Sequence, residues 1–237
     1  PEVTEMALVM IRNAYEKGLP IMCDSGVYEA FATFVQSPVF DEGWHKRYGC
    51  ELSDLMISSG RYTGQRCTPE IFQDVRTNPE EAETIGTAFV GAIPDLGRAI
   101  KPEFTMISTD GGLGDKPGSG HPQDAGTYPR VFQKLVREQG FLSMMEAVEK
   151  SSWIPAQRMG LKDKGHLSVG ADGDIVVFDA RKIKDEADYV GLGSPDASPA
   201  GLQAVIVNGV TVVREGQARE NTLPGKVLRQ PNHPWTL

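Results

Sequence analysis

The chain has 237 residues, 40% of them hydrophobic, and a formal charge of −8 at pH 7. That length allows one sizeable core, or one core with a small satellite domain. The acidic balance, with a pI of about 5.1 and no basic stripe, argues against a nucleic-acid partner. No apolar run approaches the roughly 20 residues of a membrane span. Three widely spaced cysteines, Cys23, Cys50 and Cys67, with no CxxC, exclude a disulfide scaffold and point to a reducing, cytoplasmic setting. Each reads as a small buried hydrophobe.

In chain order, VTEMALVMIRNAYEKG carries Met6, Val9, Met10 and Ala14 at helical spacing, and Gly18 supplies the stop. LPIMCD (19–24) is a short apolar strand. Residues 25–50 hold many aromatics but no clean period, and read as a long loop with a short helix. ELSDLMISSG (51–60) predicts a strand centred on Leu55–Ile57. Residues 68–90 predict two helices, the first capped by Thr68 with Pro69 at its first position. A short helix (94–100) and a strand (103–109) follow. Residues 111–122 form a loop with five of the chain's 26 glycines. TYPRVFQKLVREQG (127–140) is a helix ending at Gly140. The next helix (143–161) opens on a Ser143/Glu146 capping box. Beyond it the pattern turns to β: alternating residues over 165–183, then two strands about Asn208-Gly209 within 202–217, a strong hairpin signal. The tail has no period.

Helix–strand units to residue 161 followed by strands describe an α/β chain. The expected division is a partial barrel over 1–161 and part of a small β-sandwich, with the tail, over 162–237. The β part is too small to bury a core alone and calls for strands from elsewhere. The sequence starts inside an element, without an initiator methionine or targeting segment, and reads as a fragment.

One stretch stands out: MISTDGGLGD (106–115), an apolar strand running out on Asp110 into glycines. A carboxylate at a strand end needs a metal, a cation or a substrate to offset its desolvation. In barrels of parallel strands the chemistry gathers at the strands' C-terminal ends, and Asp24, ending IMCD, would face the same side. Read from composition alone, Asp110 equally caps its own glycine loop.

STDGGLGD, HPQDAGTYPRVFQKLVREQGFLSMMEAV, SSWIPAQRMGLKDKGHLSVGADGDIVVFD and VNGVTVVREGQ, in that order, resemble the amidohydrolase superfamily, within it the D-aminoacylase (N-acyl-D-amino-acid deacylase) branch. The resemblance covers nearly the whole chain and is most specific over 106–217. It implies the C-terminal portion of a metallo-dependent hydrolase: a (β/α)8 TIM barrel with a small β-sandwich beside it. It implies hydrolysis of an N-acyl amide, with one or two zinc ions as cofactor. Asp110 would be the general acid/base and a metal ligand. His121, Gln123, Gly111 and Gly112 would lie at the substrate. Tyr128 and Arg130 would be supporting, with Arg130 alternatively a helix-surface residue.

The resemblance also implies a His-x-His pair, a Cys or carboxylated Lys and two further histidines, none of which can be assigned here. His45, His166 and His233 read as ordinary surface residues. Beyond Asp110, only Cys23 or Asp24 could add a ligand, where a zinc site needs about three protein ligands. The expected partner is therefore a missing N-terminal half, or a second copy in a homo-oligomer. The isolated chain is expected to be inactive. After His-Pro the branch carries an arginine suited to a substrate carboxylate. Here Gln123 and Asp124 follow, which removes a bidentate pair, and Lys116 is the remaining candidate cation. Two alternatives stand beside the deacylase: a dihydroorotase- or hydantoinase-like cyclic amidase, and a non-catalytic scaffold or assembly subunit. In every case the small-molecule partner is an N-acyl or cyclic amide, with neither nucleic acid nor membrane.

Overall fold

The computed structural model describes residues 2–91, 93–112 and 116–228. His233 lies outside them. Helix α1 (Glu2–Glu16) ends at Gly18, whose φ of 79° suits the left-handed stop. Its partly buried residues are Thr4, Leu8, Ile11 and Ala14, while Met6 and Met10 face outward. Strands β1 (Cys23–Ser25) and β5 (Thr105–Ile107) pair in parallel, with Asp24 opposite Met106. Helix α4 (Ile93–Ile100) packs against both, as the crossover of a βαβ unit must.

The connection from β1 to α4 holds a separate layer. Strands β2 (Ala30–Phe34), β3 (Leu55–Ile57) and β4 (Ile85–Phe89) form an antiparallel sheet in the order β2-β4-β3. Two helices cover it, α2 (Trp44–Tyr48) and α3 (Pro69–Thr77). Its core is Val35, Phe40, Trp44, Leu55, Ile57, Val75 and Ala88, closed by Cys50 and Cys67. Both cysteines are small buried hydrophobes, and burial pushes the Cys67 thiol up to about 12.

Two expectations change here. Residues 25–50 contain a strand, β2, besides the short helix; as an edge strand with one partner it shows no clean alternation. The second helix expected within 68–90 is a single 3-10 turn, Pro79–Glu81, followed by β4. IGTAF is the central strand, with Gly86, Thr87 and Ala88 all buried between two neighbours, and such a run carries no period to separate strand from helix. The first helix is as expected, with Thr68 Oγ1 accepting from the Ile71 amide at 3.3 Å. Strand β3 belongs to this antiparallel sheet and not to the parallel pair.

Helix α5 (Gln123–Arg130) starts four residues before the expected helix and widens to a π-helix over Val131–Glu138, two residues after Pro129. Helix α6 (Met144–Val148), a second π-helical stretch (Glu149–Trp153) and α7 (Ile154–Arg158) follow without a break. The Ser143/Glu146 capping box is present. In the middle of this run Lys150 is buried and donates to the carbonyls of Pro102 (2.6 Å) and Thr105 (2.9 Å). It thereby fixes the entry to β5, at the cost of a pKa lowered by burial.

Antiparallel strands β6 (Ile175–Phe178), β7 (Leu202–Val207), β8 (Val210–Arg214) and β9 (Gln217–Ala218) make a four-stranded sheet. Asn208 and Gly209, at φ 47° and 77°, form the hairpin turn. Of the β run expected over 165–183, residues 165–174 are turns instead; Gly165 and Gly170 take φ of 81° and 94°, which strands do not use. Phe178 packs against Phe132, rings tilted and centroids 4.7 Å apart, and joins the sheet to the main core of Val27, Ile100, Ile107, Val131, Leu135 and Leu142. No helix among the described residues is long and apolar enough to cross a membrane.

Candidate functional site

Strand β5 ends at Ile107, and one further bond joins the Ser108 amide to the Ser25 carbonyl at 3.1 Å. Asp110 therefore lies three residues beyond the strand, not at its last position. It is exposed and its φ is 48°. A left-handed backbone costs roughly 1 kcal/mol for a residue with a Cβ, and Asp tolerates it better than most. Among the described residues nothing donates to its carboxylate, so the charged end is open to a ligand. Asp24, on the neighbouring strand, is exposed as well.

The first turn of α5 meets this loop. Gln123 Nε2 donates to the Asp110 carbonyl at 2.6 Å. A Cβ on Gly111 would stand 2.2 Å from Asp124 Oδ1, so that position needs glycine for the close approach. Among the described residues nothing stands within 4 Å of a Cβ placed on Gly112. Burial raises the Asp124 pKa, and the Gly112 peptide N–H partly offsets that.

His121 is buried, with both ring nitrogens occupied. Nε2 pairs with the Ala30 carbonyl at 3.2 Å, and Nδ1 with the Gln123 backbone N–H at 3.1 Å. A carbonyl can only accept and an amide N–H can only donate, so the ring is fixed as the neutral Nε2–H tautomer. Burial lowers its pKa to about 4, outweighing the Ala30 carbonyl and the Asp110 charge. Tyr28 and Tyr189 meet the ring edge-to-face at 5.4 and 5.1 Å. The imidazole is thus part of a packed wall, with no free nitrogen.

Behind it lies a buried polar junction that the sequence reading missed. Arg130 Nε donates to the Val27 carbonyl at 2.9 Å, and its guanidinium pairs with Glu29 at 2.5 Å and Asp185 at 3.5 Å. Tyr28 Oη donates to Asp185 Oδ2 at 2.5 Å, under the guanidinium plane. Burial raises the Tyr28 and Asp185 pKa values, and for Tyr28 the Asp185 partner raises it further. Gly126 leaves room for the pair: a Cβ there would lie 1.9 Å from Tyr28 Oη. Of the two readings open for Arg130, the supporting one holds. The missed signal was Gly126 one turn before Arg130 on a helix, a gap sized for a partner that lies 59 residues on in sequence.

The remaining candidates are elsewhere. His45 sits in α2, not a loop, with Nδ1 3.2 Å from the Cys50 carbonyl. His166 bonds the Lys162 carbonyl at 2.9 Å. Cys23 Sγ is 3.2 Å from Thr105 Oγ1 across the parallel pair, and Lys116 is exposed on the loop. No group of three or more His, Cys, Asp or Glu side chains that could hold a metal occurs among the described residues. The described residues do not make a zinc site alone.

A parallel strand pair with its crossover helix, followed in the chain by a four-stranded antiparallel sheet, is the kind of structure that ends an α/β domain and opens a β domain. The amidohydrolase family model matches residues 75–213, and the chain belongs to that family. It is 37% identical over 136 residues to an N-acyl-D-glutamate deacylase of Alcaligenes xylosoxydans xylosoxydans, covering 57% of this chain and 26% of the relative. The crystal structure of a D-aminoacylase superposes with a TM-score of 0.73 at 26% identity, over 92% of this chain and 44% of that one. An N-acyl-D-glutamate deacylase from Bordetella bronchiseptica, solved with zinc and a phosphonate inhibitor, gives 0.73 at 24% identity over 95% and 46%. The chain spans about a quarter of its curated relative and under half of each solved structure. The fold is accordingly the C-terminal portion of an amidohydrolase barrel with part of its sandwich.

Proposed function

We propose that this chain is part of a metal-dependent hydrolase of non-peptide C–N bonds that deacylates N-acyl-D-amino acids. The carrying observation is the open Asp110 carboxylate just past β5, held outward by a left-handed backbone. In this reading Asp110 takes a proton from the attacking water as the new C–O bond forms. It returns that proton to the departing nitrogen as the C–N bond breaks, leaving a carboxylate and a free amine. Gly111 and Gly112 lie at the substrate in this reading, Gly111 also letting the loop pack on Asp124. Zinc, one or two ions, would supply Lewis acidity to the acyl carbonyl when bound, with Asp110 the contributing ligand and most others from outside this chain. The division at residue 161 into barrel and sandwich parts is part of the same reading.

A partner surface fits this reading. Met6, Met10 and Val9 on α1 are 66%, 72% and 47% exposed, and Val176 on β6 is 57% exposed. Apolar faces of this kind call for a cover, which the remainder of the protein or a second copy would provide. The 237 residues alone are expected to be inactive.

The test is an assay of the complete gene product, zinc-loaded, on N-acetyl-D- and N-acetyl-L-amino acids and on cyclic amides. D-selective amine release is expected, and Asp110→Asn should reduce kcat by about 10²–10⁴-fold. Activity retained within tenfold would remove Asp110 from the acid/base role, and turnover of cyclic amides alone would replace the substrate class.

A further inference from the structure

We propose that Gln123 is a positioning residue: its side-chain amide holds the Asp110 peptide in the left-handed conformation that presents the carboxylate, and His121 in turn sets Gln123. This goes beyond the placing of Gln123 at the substrate, and it rests on the acid/base role proposed for Asp110.

The argument starts from the backbone. Residues 109–112 lie past the end of β5, so no strand ladder fixes their peptide planes. A residue with a Cβ leaves φ 48° readily unless something holds it. Two bonds hold the Asp110 peptide: the Gly111 N–H donates to Thr109 Oγ1 at 3.2 Å within the loop, and Gln123 Nε2, from outside the loop, donates to the Asp110 carbonyl at 2.6 Å. Rotating that peptide back to an extended conformation would swing the carbonyl off the amide and turn the carboxylate with it. The bond to Asp110 uses one of the two N–H donors of the Gln123 amide.

Gln123 is itself anchored twice. Its backbone N–H donates to His121 Nδ1 at 3.1 Å, and His121 Nε2 donates to the Ala30 carbonyl at 3.2 Å, at the start of β2. A hydrogen-bonded line therefore runs from the antiparallel layer through His121 and Gln123 to Asp110. Beside it, Asp124 packs so closely on Gly111 that no Cβ fits, which grips the loop on its other side. Two successive residues of one helical turn thus hold two successive residues of the loop.

Gln123→Met keeps length and removes the donor. Gln123→Glu keeps the shape and sets an acceptor against the Asp110 carbonyl. In the complete enzyme both are expected to lower kcat about 10- to 100-fold, the scale of a misplaced catalytic group, with KM and the ranking of acyl-D-amino-acid substrates unchanged. A crystal structure of either variant should show Asp110 out of the left-handed region. A raised KM or altered substrate ranking, with Asp110 unmoved, would overturn the proposal and return Gln123 to the substrate. If the wild-type protein deacylates nothing, the functional reading above fails. The positioning claim is then decided on the backbone alone, where a positive φ retained at Asp110 in Gln123→Met overturns it.

Discussion

The antiparallel layer between β1 and α4 and the junction around Arg130 are both buried, yet they are held together by opposite means. The layer is closed by apolar contacts: Val35, Leu55, Ile57 and Val75 have no exposure at all, and Phe40 and Trp44 pack edge-to-face at 5.2 Å. The junction is closed by charge: Arg130 between Glu29 and Asp185, with Tyr28 donating to the same Asp185. Apolar packing is non-directional and makes a unit cohere. Charged hydrogen bonds are directional and costly to leave unmade. The layer's core therefore makes it one body, while the junction fixes how the chain after β1 meets α5 and the loop bearing Asp185. The loop of the candidate site is built on the junction side.

The comparison breaks most visibly at Arg130. Arg130→Met keeps much of the volume and strands two carboxylates, one on Asp185, whose side chain is 2% exposed. Breaking a buried ion pair from one side costs about 3–5 kcal/mol. The cost should shrink as pH falls, because Asp185, whose pKa burial already raises, regains neutrality by taking a proton. Adding Glu29→Gln and Asp185→Asn to the variant should recover part of the loss at pH 7. Urea unfolding of the single and triple variants reads this. A single-variant cost that is small and constant with pH would mean the charges are wetter than the geometry implies.

Leu55→Ala is the apolar counterpart. Removing a fully buried leucine side chain typically costs about 2–5 kcal/mol through lost transfer energy and the cavity left behind. Leu55 also abuts Gly86 on the central strand, where a Cβ would stand 2.8 Å from its Cδ1, so the cavity has little room to collapse. The cost should be the same at pH 5 and pH 7, since no titrating group touches the change. A cost that varies with pH would place a charge in this core and undo the contrast.

The two halves of the contrast were unequally legible in the sequence. Helix α3, with its Thr68 cap and Pro69, and the hairpin at Asn208-Gly209 could be read because local residues dictate them. Strand β4 could not. IGTAF is decided by strands that pair with it from residues 30–34 and 55–57, and a central strand shows no alternation. The same limit applies to the site. Asp110 was visible as a carboxylate closing an apolar run, although the strand stops three residues sooner. The family resemblance puts His121 in the loop over the substrate; that its ring is buried under Tyr28 and Tyr189, far away in sequence, no local residue shows. Arg130 on its own helix is undecidable, and only Glu29 and Asp185 settle it.

The finest test of the contrast is His121, which is packed like an apolar residue and yet titrates. Its pKa is about 4 in the folded protein, against about 6.5 when unfolded. Above pH 6.5 the ring is neutral in both states and its contribution is fully present. Between those values the unfolded chain binds a proton that the folded one refuses, so stability falls as pH falls. The loss is on the order of 3 kcal/mol by pH 4, from a shift of between two and three pH units. His121→Gln keeps a donor for the Ala30 carbonyl and removes the titration. Its stability relative to wild type should therefore rise steadily from pH 7 to pH 4.5 in urea unfolding. The carboxylates that also titrate there are shared by both proteins and cancel in the difference. Parallel curves for the two proteins would mean that the imidazole is protonated in place, which would require Nδ1 to have released the Gln123 amide and Asp110 to be held by something else.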